Sequence, residues 1–501
     1  MSEIAAWRQR LMGQEFHAQA FVAGTWRDAK SGARSKVVNP ATGRAIATVP
    51  ALSEAEIAEA IADAARALPD WRTWTPDDRA KVLHRWADQV AQHREDLAAI
   101  VTLEQGKPLS EGRGEIDYGA NYLRWYAEQG KRLYGEIIPS HLPNSRLLVL
   151  REPIGVVAAI LPWNFPSALV ARKSAAALAA GCPVVLKPAN GTPLSALAYA
   201  HLGQIAGVPD GVFSVVTAPS QAFANAVFAA PDVRKVTFTG STEVGRKLMT
   251  AAAAQITRLS LELGGHAPCL VFNDADLETA VTCAVAAKFV STGEDCLAIN
   301  RILVQEEVYD AFCRLFAQKT AALKVGNGLE DVDQGPLFDA GVLDKCASHV
   351  ADAVAKGARV LTGGRRHALG GLFYEPTALA DVTTNMAIFT EETFGPVAPI
   401  SRFRTEEEGI ALANASPYGL AAYLFTRDMS RSWRIAEALE YSMVALNTAR
   451  MTGAPVPFGG IKHSGMGREG GHQGLEEFTE LKYFCIGGLD LGRPAARGVS
   501  A

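Results

Sequence analysis

Gly155-Val156-Val157-Ala158-Ala159-Ile160 is a short, nearly continuous apolar run, and a second, Pro183-Val184-Val185-Leu186, follows it across the Ala-rich stretch 167–180. Such runs suit strands buried on both faces, and the alanines between them suit a helix. Strand, helix, strand is the crossover unit of a parallel sheet. Working outward, residues 212–217, 236–239, 267–272 and 301–305 repeat the texture, so the chain reads as α/β with helices on both faces of a parallel sheet. On the N-terminal side, 53–67 and 76–103 carry apolar residues at helical spacing and are predicted amphipathic helices. A second block spans about 308–446, with a helix over 344–356, a strand at Ala358-Arg359-Val360-Leu361 and a turn at Gly363-Gly364, which predicts a second α/β domain. No low-complexity linker or short repeat separates the blocks.

A chain of 501 residues has room for two or three domains, and 48% hydrophobic with 20% charged residues places it among globular proteins. The net charge of -4, without a long Lys/Arg run, argues against nucleic acid or an anionic membrane as partner. Glu3, Arg8, Arg10 and Glu15 interrupt any signal-peptide core, and the apolar run before Pro162 is too short to span a bilayer, so a cytoplasmic location is expected. Seven scattered cysteines without Cys-x-x-Cys spacing predict neither a disulfide framework nor a metal site.

Five motifs carry chemistry. Leu161-Pro162-Trp163-Asn164-Phe165-Pro166 follows a predicted buried strand and so sits at a carboxyl strand end, where α/β folds bind ligands. Taken alone it reads equally as a Pro-bounded turn with two aromatic plugs. Lys187 leaves an apolar strand as it ends, within reach of a ribose or phosphate, although a lone strand-end lysine is usually just solvated. Phe238-Thr239-Gly240-Ser241-Thr242-Glu243-Val244-Gly245-Arg246 sets small residues between a strand and a helix, a geometry for a pyrophosphate at a helix N-terminus, without the Gly-x-Gly-x-x-Gly spacing. In Leu259-Ser260-Leu261-Glu262-Leu263-Gly264-Gly265 one carboxylate stands in an apolar stretch, where desolvation would tune Glu262 into a general base; a capping or salt-bridged glutamate is the competing reading. In Ser291-Thr292-Gly293-Glu294-Asp295-Cys296-Leu297 a helix is predicted to end at Gly293 and expose Cys296 in a polar loop, a better nucleophile candidate than a core thiol.

Together these motifs resemble the aldehyde dehydrogenase superfamily over essentially the whole chain, from Asn39-Pro40-Ala41-Thr42-Gly43 to the C-terminal segment. Within it the chain is most similar to succinate-semialdehyde dehydrogenases, through Trp163-Asn164-Phe165-Pro166, Arg172-Lys173, Ser260-Leu261-Glu262-Leu263-Gly264-Gly265, Pro457-Phe458-Gly459-Gly460-Ile461-Lys462-His463-Ser464-Gly465-Met466-Gly467-Arg468-Glu469-Gly470 and Lys482-Tyr483-Phe484-Cys485-Ile486. The resemblance implies two α/β domains with parallel sheets plus a small antiparallel oligomerisation arm: cofactor binding by 1–129 and 152–261, catalysis by 262–460, and an arm of 130–151 with 480–495. It also implies NAD or NADP as cofactor and a homodimer or homotetramer. An arm paired between subunits would protect the Leu147-Leu148-Val149-Leu150 edge.

The resemblance further implies that Cys296 attacks an aldehyde, that the Asn164 amide and the Cys296 N–H hold the oxyanion, and that hydride transfer leaves a thioester which Glu262 hydrolyses through water. Lys173 and Glu469 match positions of proton relay and site support. Ile160, Trp163, Lys187, Asn190, Gly240, Ser241, Val244, Glu392 and Phe394 match cofactor contacts, and Phe165, Arg172, Val290, Arg450, Thr452 and Phe458 match the substrate end.

Departures from the pattern matter. Asn190 replaces a glutamate that repels a 2′-phosphate in NAD-preferring members, so NADP should be tolerated. Ala218 and Ala224 replace glycines near the adenine pocket, and Ala298 removes the second loop cysteine and with it a disulfide switch. At the substrate end Arg172 matches one of two carboxylate-gripping arginines, Val290 replaces the other, Thr452 replaces a serine and Arg450 is additional; Arg450 either rebuilds the anion site or faces solvent. The expected substrate is an anionic semialdehyde: succinate semialdehyde, or glutarate or 2-oxoglutarate semialdehyde, or sulfolactaldehyde. Glu262 disfavours a CoA-acylating relative, and a catalytically silent structural relative is the alternative of another class.

Overall fold

The computed structural model describes residues 18–491. The signal-peptide reading of the first seventeen residues, and positions 492–495 of the expected arm, lie outside the described residues.

The predicted strand-helix-strand unit is present as Val156–Ile160, Ala168–Ala180 and Val184–Lys187. Around it an eight-stranded sheet runs in the order Thr25–Arg27, Ala20–Val22, Phe213–Val215, Val184–Lys187, Val156–Ile160, Val233–Thr239, Arg258–Glu262, Gly465–Met466. The central strands pair in parallel, and the short edge strands are antiparallel. From Val156–Ile160 the chain steps outward through two strands, then returns to add Val233–Thr239 on the opposite side. The order therefore reverses between Ile160 and Thr239, and the connections that diverge there leave a crevice at the carboxyl ends.

A second, seven-stranded sheet has the order Arg359–Thr362, Thr377–Ala380, Val397–Phe403, Ile299–Gln305, Ala267–Val271, Ala421–Phe425, Met443–Leu446, parallel except at its first strand. Ala267–Val271 and Ile299–Gln305 are buried at every position, as expected of central strands covered on both faces. A separate three-stranded antiparallel sheet joins Glu136–Ile138, Arg146–Pro153 and Thr479–Ile486, with Leu148 opposite Phe484.

Helix Glu54–Trp71 starts at Ser53 with a reciprocal capping box to Glu56. The single helix expected over 76–103 is two, Pro76–Gln92 and Arg94–Gln105, because His93 (φ -98°, ψ 22°) leaves helical geometry between them. Helix Leu109–Gly130 has no counterpart in the sequence reading: glycines at 112, 114 and 119 break the apolar pattern, yet Gly112 and Gly119 face the close neighbours Ala98 and Tyr199. The helix expected to end at Gly293 stops at Phe289. Ser291, Thr292 and Gly293 then form a left-handed turn with φ of 50°, 59° and 77°. Close packing enforces it, since a Cβ on Gly293 would lie 2.4 Å from the Gly395 carbonyl oxygen, while the Glu111 carboxylate accepts the Ser291 N–H at 2.8 Å.

Candidate active site

Two cavities meet at the reversal point. One, of about 490 Å³, is lined by residues that include Asn164, Phe165, Arg172, Glu262, Val290, Cys296, Arg450, Thr452 and Phe458. The other, of about 230 Å³, is lined by Trp163, Gly240, Ser241, Glu392 and Phe394 among others. Asn164, Thr239 and Cys296 line both, so the thiol stands where they join.

Burial, then the charge of Asp295, pushes the Cys296 thiol well above the usual range, with Arg172 pulling the other way. A thiol shifted in this direction is a weaker nucleophile until it sheds its proton. Glu262 ends strand Arg258–Glu262, its main chain held by Gly240 N–H donating to its carbonyl and by the antiparallel pairing to Gly465. Its carboxylate is buried without a hydrogen-bond partner and reaches so close to Gly459 that a Cβ there would sit 2.7 Å from Oε1. Burial, reinforced by Glu469 and opposed by Arg172 and Lys173, pushes it up to about 8. A carboxyl poised there exchanges protons near neutral pH.

Behind Glu262 lies a buried charge cluster. Glu469 is ion-paired to Arg172 through one carboxylate oxygen and to Lys173 through the other, at 2.5 Å. Burial opposes ionisation of Glu469, but the two cations outweigh it and hold the carboxyl below its usual range. Arg172 lays its guanidinium 3.5 Å from the Phe458 ring centroid. Asn164 Nδ2 donates to the Glu294 carbonyl at 2.9 Å, which leaves its second hydrogen for a ligand, and Asn164 Oδ1 has no hydrogen-bond partner.

Along the second cavity, Ser241 caps helix Thr242–Ala252 by accepting the Val244 N–H at 3.3 Å. A Cβ on Gly240 would meet the Phe238 ring at 2.3 Å, so any side chain there would have to displace that ring. Lys187 ends its strand with Nζ donating to Asn190 Oδ1 at 3.0 Å, and burial pushes its ammonium down to about 8. Glu392, pushed up to about 7 by burial, accepts the Gly265 N–H at 3.0 Å. Trp163 stacks on Phe338 at 4.3 Å and meets Phe394 edge-on at 5.7 Å. A capped helix N-terminus, a strand-end lysine and an aromatic-walled recess fit a dinucleotide.

The model of the aldehyde dehydrogenase family matches residues 26–484. The chain belongs to the aldehyde dehydrogenase family. It is 52% identical over 475 residues to a glutarate-semialdehyde dehydrogenase of Pseudomonas aeruginosa, covering 95% of this chain and 98% of the relative. It is 50% identical to the NADP-named succinate-semialdehyde dehydrogenase of Escherichia coli, over 94% of this chain and 98% of that one. The crystal structure of an NADP-dependent enzyme of E. coli superposes with a TM-score of 0.93 at 50% identity, over 94% of this chain and 98% of that one.

In this aldehyde dehydrogenase the structure gathers every expected substrate-end residue, with Cys296, Glu262 and Asn164, around one cavity, and sets Lys173 and Glu469 behind it. Arg450 and Thr452 are exposed at its open end. Ile160, Lys187, Asn190 and Val244 lie along the strand ends and helix start, outside both cavities. Glu111, Glu115, Tyr118, Thr239 and Asp295 also line the larger cavity, and sequence reasoning does not single them out. The spacing of Glu111, Glu115 and Tyr118, at i, i+4 and i+7 on one helix, is the signal that could have found three of them. Among the described residues no His/Cys/Asp/Glu group is arranged to hold a metal ion.

Proposed function

We propose that this aldehyde dehydrogenase oxidises an anionic semialdehyde, succinate semialdehyde or a close analogue, to the corresponding acid with NAD or NADP. The carrying observation is that Arg172 and Arg450 line the same cavity as Cys296, which supports recognition of an anionic substrate by guanidinium groups. The names of relatives support the class: glutarate-semialdehyde, succinate-semialdehyde and, at 48% identity, 3-sulfolactaldehyde dehydrogenase of Pseudomonas putida.

In this reading Cys296 gives its proton up to solvent water and the thiolate adds to the aldehyde carbon. The Asn164 amide and the Cys296 N–H hold the resulting oxyanion; such a donor is worth roughly 3 kcal/mol in related chemistry. Bound NAD(P) supplies the hydride acceptor that lets the Cys296 adduct become a thioester. Glu262 then takes a proton from water as it attacks the thioester, and Lys173 with Glu469 carries that proton away and fixes the charge around Glu262. Trp163, Lys187, Asn190, Gly240, Ser241, Val244, Glu392, Phe394 and Ile160 hold the cofactor, and Phe165, Val290, Thr452 and Phe458 shape the substrate end. Residues to 129 and 152–261 act as the cofactor domain, 262–460 as the catalytic domain, and 130–151 with the C-terminal strand as the oligomerisation arm.

Exposed apolar side chains on that arm, Ile137 at 76%, Leu481 at 63% and Phe484 at 51%, support a homodimer or homotetramer. No helix among the described residues is long and apolar enough to cross a membrane. Seven free cysteines suit the reducing cytoplasm, the location included in this proposal.

Steady-state kinetics with succinate, glutarate and 2-oxoglutarate semialdehydes and sulfolactaldehyde, against neutral aldehydes of equal length, test the reading. At least about tenfold higher kcat/KM is expected for one of the anions, the effect of a single charge-assisted contact. Equal kcat/KM for neutral partners would remove the anionic substrate, and no NAD(P)H formation with any aldehyde would revive the silent relative.

A further inference from the structure

From Lys107, a residue outside the proposed catalytic set, we infer a positioning function: its ammonium fixes the Asn164 backbone and thereby aims the oxyanion donor. Lys107 lies between helices Arg94–Gln105 and Leu109–Gly130, with 1% of its side chain exposed. Its Nζ donates to the Asn164 carbonyl at 2.7 Å and to Glu115 Oε2 at 2.8 Å, and sits 3.8 Å from the Phe165 ring centroid. Glu115 Oε1 in turn accepts the N–H groups of Ser167 at 2.7 Å and Ala168 at 3.0 Å, where helix Ala168–Ala180 begins. One buried ion pair therefore grips both ends of the turn that carries Asn164.

The same segment reaches the nucleophile loop. Lys107 N–H donates to Gln105 Oε1 at 2.9 Å, and Gln105 Nε2 donates to Glu294 Oε2 at 3.3 Å. Glu294 offers its carbonyl to Asn164 Nδ2 at 2.9 Å and accepts the Phe338 N–H at 2.9 Å. Asn164 Oδ1 has no partner, so the amide is held at two points only: its own main chain, through Lys107, and Nδ2, through Glu294. Releasing the first lets the amide drift against the second. A buried lysine is costly to keep in a protein interior, and helix-to-helix packing does not require one. Donor placement within a fraction of an ångström does require a rigid support.

This inference rests on the proposed role of Asn164, and the test separates the two. Lys107→Met/Glu115→Gln removes both charges together, and the carbonyl oxygen of the introduced amide can still accept from the N–H groups of Ser167 and Ala168. The pair should lower kcat between about tenfold and a hundredfold, the cost of an ångström-scale misplacement, with aldehyde KM and NADP Kd within about twofold of wild type. In an Asn164→Ala background the same pair should cost less than about twofold more, because the donor it aims is gone. Iodoacetamide alkylation of Cys296 should keep its rate and pH profile. Wild-type kcat, full additivity with Asn164→Ala, or a shifted alkylation profile would overturn the inference, the last by showing that Lys107 acts as a charge on the thiol. Wild-type turnover of Asn164→Ala itself would overturn the oxyanion reading and this inference with it. Should the neutral pair not fold, Lys107→Arg goes through the same cycle: it keeps the charge but cannot place one donor on both partners, so a matching kcat loss supports positioning and unchanged kcat overturns it.

Discussion

Arg172 and Glu469 are ion-paired beneath the cavity floor, so the arginine that faces the substrate end is already bound to a carboxylate of the protein. Lys173 holds the other Glu469 oxygen, and the Glu469 charge in turn raises Glu262. Glu469→Gln removes that charge, so the pH at which Glu262 ionises should fall. The limb of kcat that rises with pH should move to lower pH than in wild type. The variant should also lose about 3 to 5 kcal/mol of stability, because two buried cations lose their counter-charge. The cluster is held by a carboxyl below its usual range, so its stabilisation is present above the ordinary carboxylate pKa and disappears on acidification through the lower folded value. A pH–rate profile with thermal melts checks both; an unmoved limb would uncouple Glu469 from Glu262.

For Glu262 itself the sign is that of a base: inactive when protonated, active when ionised. With its carboxyl pushed up to about 8, thioester hydrolysis should accelerate as pH rises through that value and level off above it. Glu262→Gln should give a stoichiometric burst of NAD(P)H and then slow turnover, since the amide cannot take the proton from water. Unchanged steady-state turnover would remove Glu262 from the mechanism.

Much of this site is legible in the sequence because its residues stand at carboxyl ends of strands whose apolar runs are unambiguous: Asn164 after Val156–Ile160, Lys187 at the end of its own strand, Glu262 ending Arg258–Glu262. The left-handed turn at Ser291 and Thr292 is not, because it follows from contact with Gly395 and Glu111, far away in the chain. Lys107 and Glu115 escape sequence reasoning for a related reason. Their neighbours in sequence look polar and solvated, and burial of both arises from contacts far away in the chain: Glu115 where Leu109–Gly130 packs on Ala168–Ala180, and Lys107 where the Gly328 and Gly335 segments and Phe165 cover it. The split at His93 is equally invisible, since apolar spacing continues across it.

Asn190 gives a cofactor prediction. Lys187 donates to its amide oxygen, which turns the NH₂ group away from the lysine and leaves it free to donate to a phosphate. Both NAD and NADP should support turnover. Asn190→Glu should pair with Lys187 and repel a 2′-phosphate, lowering kcat/KM for NADP by at least about tenfold, roughly 1.4 kcal/mol, with NAD little changed. An enzyme inactive with NADP from the start would contradict the reading.

Variants of Arg450 test how the far end of the substrate is recognised. It lines the same cavity as Arg172 but is exposed at the open end, whereas Arg172 is buried, paired to Glu469 and stacked on Phe458. Because Arg172 is tied into the cluster around Glu262, Arg172→Ala should damage turnover of charged and neutral aldehydes alike. Arg450 has no such tie, so Arg450→Ala should act on anionic substrates alone. A charge-assisted hydrogen bond is worth about 1.5 to 3 kcal/mol when shielded, and exposure reduces this, so KM for the semialdehyde should rise about threefold to tenfold with kcat unchanged. Wild-type KM should also climb with ionic strength, and that slope should flatten in the variant. Val290 lines the cavity too, and the resemblance to succinate-semialdehyde dehydrogenases implies an arginine there as the second grip. Arg450→Ala/Val290→Arg should therefore recover the lost affinity for the anion while leaving neutral aldehydes untouched. No change in either KM in Arg450→Ala would place Arg450 in solvent, and equal changes for charged and neutral substrates would make it a support of the cavity wall; both outcomes would remove Arg450 from selection of the anion.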